Sequence, residues 1–159
     1  MDSSPTPPAM REMRAMRPDP VHILLVEDDP VDAWLTHEAL RRGAAPKRIT
    51  VVGDGEEALA LLRQEPPFEG TRRPDLILLD LTLPRLGGQS VLETLKSDPR
   101  WRSIPVLVLT GSATDDDVAA SYDRYANGVL RKPATVEQLV GLTTRLEEFW
   151  FSTATLPSA

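Results

Sequence analysis

The sequence predicts an α/β fold of five strand–helix repeats built on one parallel sheet. Three observations carry this. Apolar runs of three to five residues recur along the chain, as in ILLV at 23–26, LILL at 76–79 and PVLVL at 105–109. Between them lie more polar stretches with apolar residues three and four apart, the period of a helix that buries one face. Acids or hydroxyls stand where several of those helices need an N-cap. Strands that are apolar throughout are buried on both faces, as in a parallel sheet covered by helices, and such sheets bind ligands beyond the carboxyl ends of their strands.

In chain order, the first strand, Ile23 to Val26, stops at Glu27, Asp28 and Asp29. Pro30 suits the first turn of a helix capped by Asp29 and running to about Arg42. Ile49 to Val52 reads as the second strand, and Asp54 with Glu57 forms a capping box for a helix ending near Gln64. The third strand, Leu76 to Leu79, precedes a helix from Gly87 to about Ser97 with Val91, Leu92 and Leu95 on one face. The fourth strand, Pro105 to Leu109, ends at Thr110. Thr114, paired with Asp117, opens a helix that Gly128 is expected to terminate. Val129 to Arg131 is a short fifth strand, and Thr135 with Gln138 caps a last helix reaching about Trp150.

The chain has 159 residues, enough for one domain. Residues 1–20, with Pro5, Pro7, Pro8, Pro18 and Pro20 around a charged stretch, read as a flexible arm. The domain then covers 21–150 and a tail covers 151–159. Met10, Met13 and Met16 leave the translation start open. The sequence has no cysteine, which excludes disulfides and zinc–thiolate sites. No apolar run approaches the roughly 20 residues of a membrane span, so the expectation is a cytoplasmic protein without membrane contact. A net charge of −6 without a basic stripe argues against nucleic acid as partner.

The chemistry should lie at the strand ends, where Glu27 and Asp28, Asp80, Thr110 and Lys132 fall. If those strands are neighbours, three carboxylates, a hydroxyl and an ammonium converge. Clustered carboxylates call for a cation, and oxygen ligands favour a hard ion such as Mg2+. An ionised Asp beside such a cation can attack phosphorus to give an acyl phosphate, with the metal and Lys132 neutralising the transferred oxygens. Asp29 fits a cap better than a metal ligand. His22 and His37 fall outside the cluster, and Trp34 suits core or a partner surface. Gly87 and Gly88 lack any phosphate-loop pattern and suit the start of a helix.

In these residues the chain resembles the response-regulator receiver family: VEDD at 26–29, LILLDLTLP at 76–84, VLVLTGS at 106–112 and RKP at 131–133, across about Val21 to Trp150. The resemblance implies a flavodoxin-like, doubly wound (βα)5 fold with a five-stranded parallel sheet in the order 2-1-3-4-5. It implies that Asp80 accepts a phosphoryl group from a sensor histidine kinase. Mg2+ or Mn2+ would be held by Asp28 and Asp80, by Glu27 through water and by the backbone carbonyl of Thr82. Thr110 would be the switch hydroxyl and Lys132 the phosphate-binding cation, followed by a cis bond to Pro133. The protein would be a signalling module and not an enzyme beyond its own phosphorylation and slow dephosphorylation.

The sequence departs from the family in several places. Val129 replaces the usual aromatic three positions before the lysine, so the switch is expected to run through the loop after Thr110 and the helix from Thr114. Thr82 and Ser112 lack a group to orient water, which predicts a long-lived phosphate. PPFEGTRRP at 66–74 lengthens a surface loop. Along the last helix Val136, Leu139, Leu142, Leu146 and Phe149 make a core stripe, leaving Trp150 and Phe151 in excess. That excess predicts an exposed patch and a homodimer through the fourth helix, fifth strand, fifth helix and tail. The chain stops soon after the last helix, so output is expected by protein contact without a DNA-binding domain. The tail and long loop resemble single-domain regulators that pair with bacterial phytochromes. Two alternatives stay open: a Mg2+-dependent phosphohydrolase with an Asp nucleophile, disfavoured by Thr82 where a second acid is needed, and a receiver-fold scaffold that works without phosphorylation.

Overall fold

The computed structural model describes residues 20–83, 87–111 and 114–157. The expected arm, apart from Pro20, and Ser112 lie outside them. Five strands alternate with five helices: β1 (Val21–Val26), α1 (Pro30–Arg41), β2 (Lys47–Val52), α2 (Gly55–Leu62), β3 (Leu76–Leu79), α3 (Gly88–Ser97), β4 (Val106–Thr110), α4 (Asp115–Asp123), β5 (Gly128–Arg131) and α5 (Val136–Glu147), followed by a π-helical turn, Glu148–Thr153. All strand pairs are parallel, in the order β2-β1-β3-β4-β5.

Alternate residues of each strand feed two cores. Leu24, Val26, Ile77, Leu79, Val106 and Val108 meet Ala58, Leu59 and Leu61 of α2 and Val91, Leu92 and Leu95 of α3. On the other face Ile23, Leu25, Leu76, Leu78 and Leu107 meet Leu40 of α1 and Leu146 of α5. Each fully buried aliphatic side chain contributes about 1.5–3 kcal/mol, so β1 and β3, buried on both faces, anchor the molecule. β1 pairs in register with β3, Val26 opposite Leu79, and the Asp80 N–H donates to Val26 O at 3.0 Å. The residues following these two strands are therefore held side by side.

The helix caps follow the sequence. Asp29 accepts from the N–H groups of Val31 and Asp32, Thr114 forms a reciprocal box with Asp117, and Thr135 accepts from Gln138. At α2 the expected box is altered: Asp54 accepts from the Glu57 N–H, but the Glu57 carboxylate reaches back to the N–H of Gly53. This helix also stops at Leu62, short of Gln64, whose φ of 56° turns the chain away.

Three further expectations fail. Gly128 does not end α4; the helix closes at Asp123, Tyr125 with φ 66° reverses the chain, and Gly128 already belongs to β5. The Lys132–Pro133 bond is not cis, in keeping with the general preference of X–Pro bonds for trans; among the described residues the cis bond is Pro66–Pro67. The last helix does not remain α-helical to Trp150. In the π-helical turn each hydrogen-bonded ring takes one more residue, so the inward direction passes from Phe149 to its successors. Trp150 and Phe151 pack against the second core, whereas Phe149 is 51% exposed.

Just before that turn a buried ion pair ties α5 to the β2 edge: Lys47 Nζ lies 2.5 Å from Glu147 Oε1, and the ammonium also donates to Leu40 O and Gly43 O at the end of α1. The long 66–74 segment is bound down as well. Phe68 packs against the first core, Arg72 donates to Pro20 O, and Arg73 donates to Ser103 Oγ. Among the described residues no helix is long and apolar enough to cross a membrane.

Candidate functional site

The order of the sheet reverses between β1 and β3, and a crevice opens there beyond the strands' carboxyl ends. It is a cleft of about 350 Å3 lined by Asp28, Asp29, Asp32, Asp80, Thr82, Thr110, Gly111 and Lys132. Asp28, Asp80, Thr82, Thr110 and Lys132 were expected from the sequence. Glu27 is buried beside them. Glu27, Asp28 and Asp80 each offer an oxygen within 4.8 Å of the others. Lys132 arrives from the far side of the sheet through parallel pairing, its N–H donating to Thr110 O at 2.9 Å.

Asp80 is held firmly. Its Oδ1 accepts from both the N–H and the hydroxyl of Thr82, each at 3.1 Å, while Oδ2 lies 3.5 Å from Lys132 Nζ. The Lys132 ammonium also contacts Glu27 Oε1 and lies 3.2 Å from Asp32 Oδ2. Thr110 is buried at the end of β4. Its neighbour Gly111 lines the cleft.

The electrostatics follow from burying several acids beside one ammonium. Burial pushes the Glu27 carboxyl up to about 8; a hydrogen bond with Asp80 adds to this, and Lys132 opposes it. For Asp80, burial again works against ionisation, but the hydrogen bonds from Glu27 and Thr82 and the Lys132 charge prevail and hold it below the usual carboxylate range. Burial also disfavours the Lys132 charge, yet Glu27, Asp80 and Asp32 raise its pKa above the ordinary lysine value. The cleft therefore presents an ionised Asp80 next to a firmly charged ammonium.

A divalent cation fits this donor set. Its ligands are oxygens only, and Glu27 Oε2 is buried without a hydrogen-bond partner, which a cation or its bound water would supply. Asp29 serves as a cap, as expected. His22 is buried against Thr50, and His37 lies beside Glu38, so neither belongs to the site. Val129 packs, partly buried, against the first core. Asp32 went unread in the sequence, where an acid in the first turn of a helix is accounted for by the helix dipole alone.

This pairing of sheet order and cleft chemistry defines a receiver domain, the phosphorylation-responsive module of two-component signalling. The chain belongs to the response regulator receiver domain family, matched over residues 23–144. Among curated proteins it is 41% identical to response regulator Rcp1 of Synechocystis sp. over 140 residues, covering 88% of this chain and 95% of Rcp1. Among solved structures it is similar to the phosphorylated cyanobacterial phytochrome response regulator RcpA, with 48% identity, a TM-score of 0.82, and coverage of 87% of this chain and 99% of that one. The Mn2+-bound form of Rcp1 is 41% identical with a TM-score of 0.81, covering 87% of this chain and 100% of that one.

Proposed function

We propose that Asp80 is the phosphoacceptor of this receiver domain and that Thr110 and Lys132 bind the transferred group. The observation carrying this is the convergence of Glu27, Asp28 and Asp80 with one ammonium at the crevice of the sheet. A carboxylate oxygen of Asp80 attacks the phosphorus of a kinase phosphohistidine. The P–N bond breaks with its electron pair left on the imidazole, and an aspartyl phosphate forms. Lys132 neutralises the phosphoryl oxygens, and the Thr110 hydroxyl donates to one of them. Asp28, Asp80, Glu27 and the backbone carbonyl of Thr82 would hold Mg2+ or Mn2+. When bound, that cation offsets the charge of the acids and of the transferred group.

The likeness to the cyanobacterial phytochrome response regulator RcpA supports a bacterial phytochrome as the histidine kinase. Output is by protein contact, with a homodimer formed on the face of α4, β5 and α5. In the Asp-nucleophile hydrolase alternative a second acid would stand where Thr82 lies, and here the Thr82 hydroxyl donates to Asp80 instead.

The test is direct. The protein incubated with Mg2+ and acetyl phosphate should gain the mass of one phosphoryl group, and Asp80→Asn should abolish that gain. Retention of the gain in Asp80→Asn, or turnover of a small phosphoester, would reject the proposal.

A further inference from the structure

Asp32 lines the cleft yet has no part in the reading above. It stands in the first turn of α1, one residue beyond Val31, and its N–H is held by the Asp29 cap. Its Oδ2 lies 3.2 Å from Lys132 Nζ, so the three donors of one ammonium face carboxylates from three places in the fold: Glu27 after β1, Asp32 on α1 and Asp80 after β3. The three are not equivalent. The Glu27 and Asp80 side chains are 2% and 5% exposed, whereas that of Asp32 is 45% exposed and that of Lys132 is 17% exposed. Asp32 therefore draws the ammonium from the solvent side, while the buried acids draw it inward.

Asp32 also lies outside the group of carboxylates placed to share a cation, which is Glu27, Asp28 and Asp80. Among the described residues, a cation taken up by those three leaves Asp32 with Lys132 as its ion-pair partner. A phosphodonor is itself an anion that must pass the mouth of the cleft and engage the same ammonium. We propose that Asp32 is a positioning residue that competes with the incoming phosphoryl group for Lys132, and so sets the donor concentration at which Asp80 is phosphorylated. This rests on Asp80 being the acceptor. On transfer, Lys132 exchanges the Asp32 carboxylate for a phosphoryl oxygen.

An acid in the first turn of a helix is also favoured by the helix dipole. That role alone predicts a loss of stability on neutralisation and no gain in phosphorylation. The experiment measures phosphoprotein by intact mass over a range of acetyl phosphate at saturating Mg2+, for the wild type, Asp32→Asn, Asp32→Ser and Asp32→Glu. Removing one negative charge near the surface should lower the half-saturating acetyl phosphate concentration roughly 3- to 10-fold in Asp32→Asn. The shift should exceed any change in maximal rate, and Asp32→Glu should stay within about twofold of wild type. Asp32→Ser carries the test if Asp32→Asn does not fold. An unchanged or higher half-saturating concentration in the neutral variants, with Asp80 phosphorylated normally in the wild type, overturns the role of Asp32 alone. So does Asp32→Glu behaving like Asp32→Asn. Failure of the wild type to be phosphorylated, or phosphorylation surviving Asp80→Asn, overturns the acceptor assignment and this inference together.

Discussion

At Gly88 an absent side chain lets α3 begin against the residue that carries the chemistry. A Cβ placed there would fall on the carbonyl oxygen of Asp80 and 2.6 Å from Leu81 Cα, which are backbone atoms with little room to yield. Gly88→Ala should therefore cost about 1–3 kcal/mol by overpacking, read as a lower urea midpoint with an unchanged slope. Because the displaced atoms belong to Asp80, the variant should also be phosphorylated more slowly than an equally destabilised core variant such as Val91→Ala. The sequence marked Gly88 only as the start of a helix, since a close approach between distant segments leaves no local pattern. Asp80, Asp28, Thr110 and Lys132 were legible for the opposite reason: each lies within two residues of the end of an apolar run, and a parallel sheet brings such residues to one edge. Asp32 was not, because its partner Lys132 is 100 residues away.

Along α5 the apolar stripe was legible as far as Leu146, because a 3.6-residue period identifies the inward face without reference to anything else. Beyond it the same period pointed to Phe149 and failed, since the chain passes into a π-helical turn. The cost of that irregular turn is offset by what it buries: Trp150 and Phe151 reach the second core, beside Leu146 and the strand residues Ile23 and Leu25. The turn starts one residue after Glu147, whose carboxylate is fixed by the buried Lys47 ammonium. Phe149, 51% exposed, makes an edge contact with Trp150. Trp150→Ala should therefore destabilise the fold by about 1–3 kcal/mol, against about 0.5 kcal/mol or less for Phe149→Ala. Urea unfolding followed by circular dichroism separates the two, and an α-helix continuing through residue 150 would give the reverse order. Similarly, α4 closes at Asp123 and the chain reverses at Tyr125, whose positive φ, which no residue type in the sequence announced, comes three residues before the expected glycine.

Across the whole molecule the strand order follows from the family resemblance together with the buried character of β1, β3 and β4, and it leaves β2 and β5 as edges. The β5 edge is flanked by α4 and α5. α4 is thinly anchored: Ser121 alone among its nine residues is buried, held by Gln89 Nε2 at 3.0 Å. Tyr122 and Tyr125 at the end of α4 and Phe149 beyond α5 are 51%, 74% and 51% exposed. Aromatic side chains of that exposure are enriched at protein interfaces, so the proposed homodimer draws on these three and not on Trp150 and Phe151, which the core already occupies. Deleting the tail would unpack that core and report on folding, so point variants are the sound test. Sedimentation equilibrium of the wild type should show a dimer. Tyr125→Asp and Phe149→Asp should each weaken it about tenfold or more, since a charge forced into an interface costs more than about 1.4 kcal/mol. Their melting temperatures should stay near that of the wild type, because neither side chain is buried in the protomer. A monomeric wild type, or a dimer indifferent to both substitutions, would remove this face as the site of association.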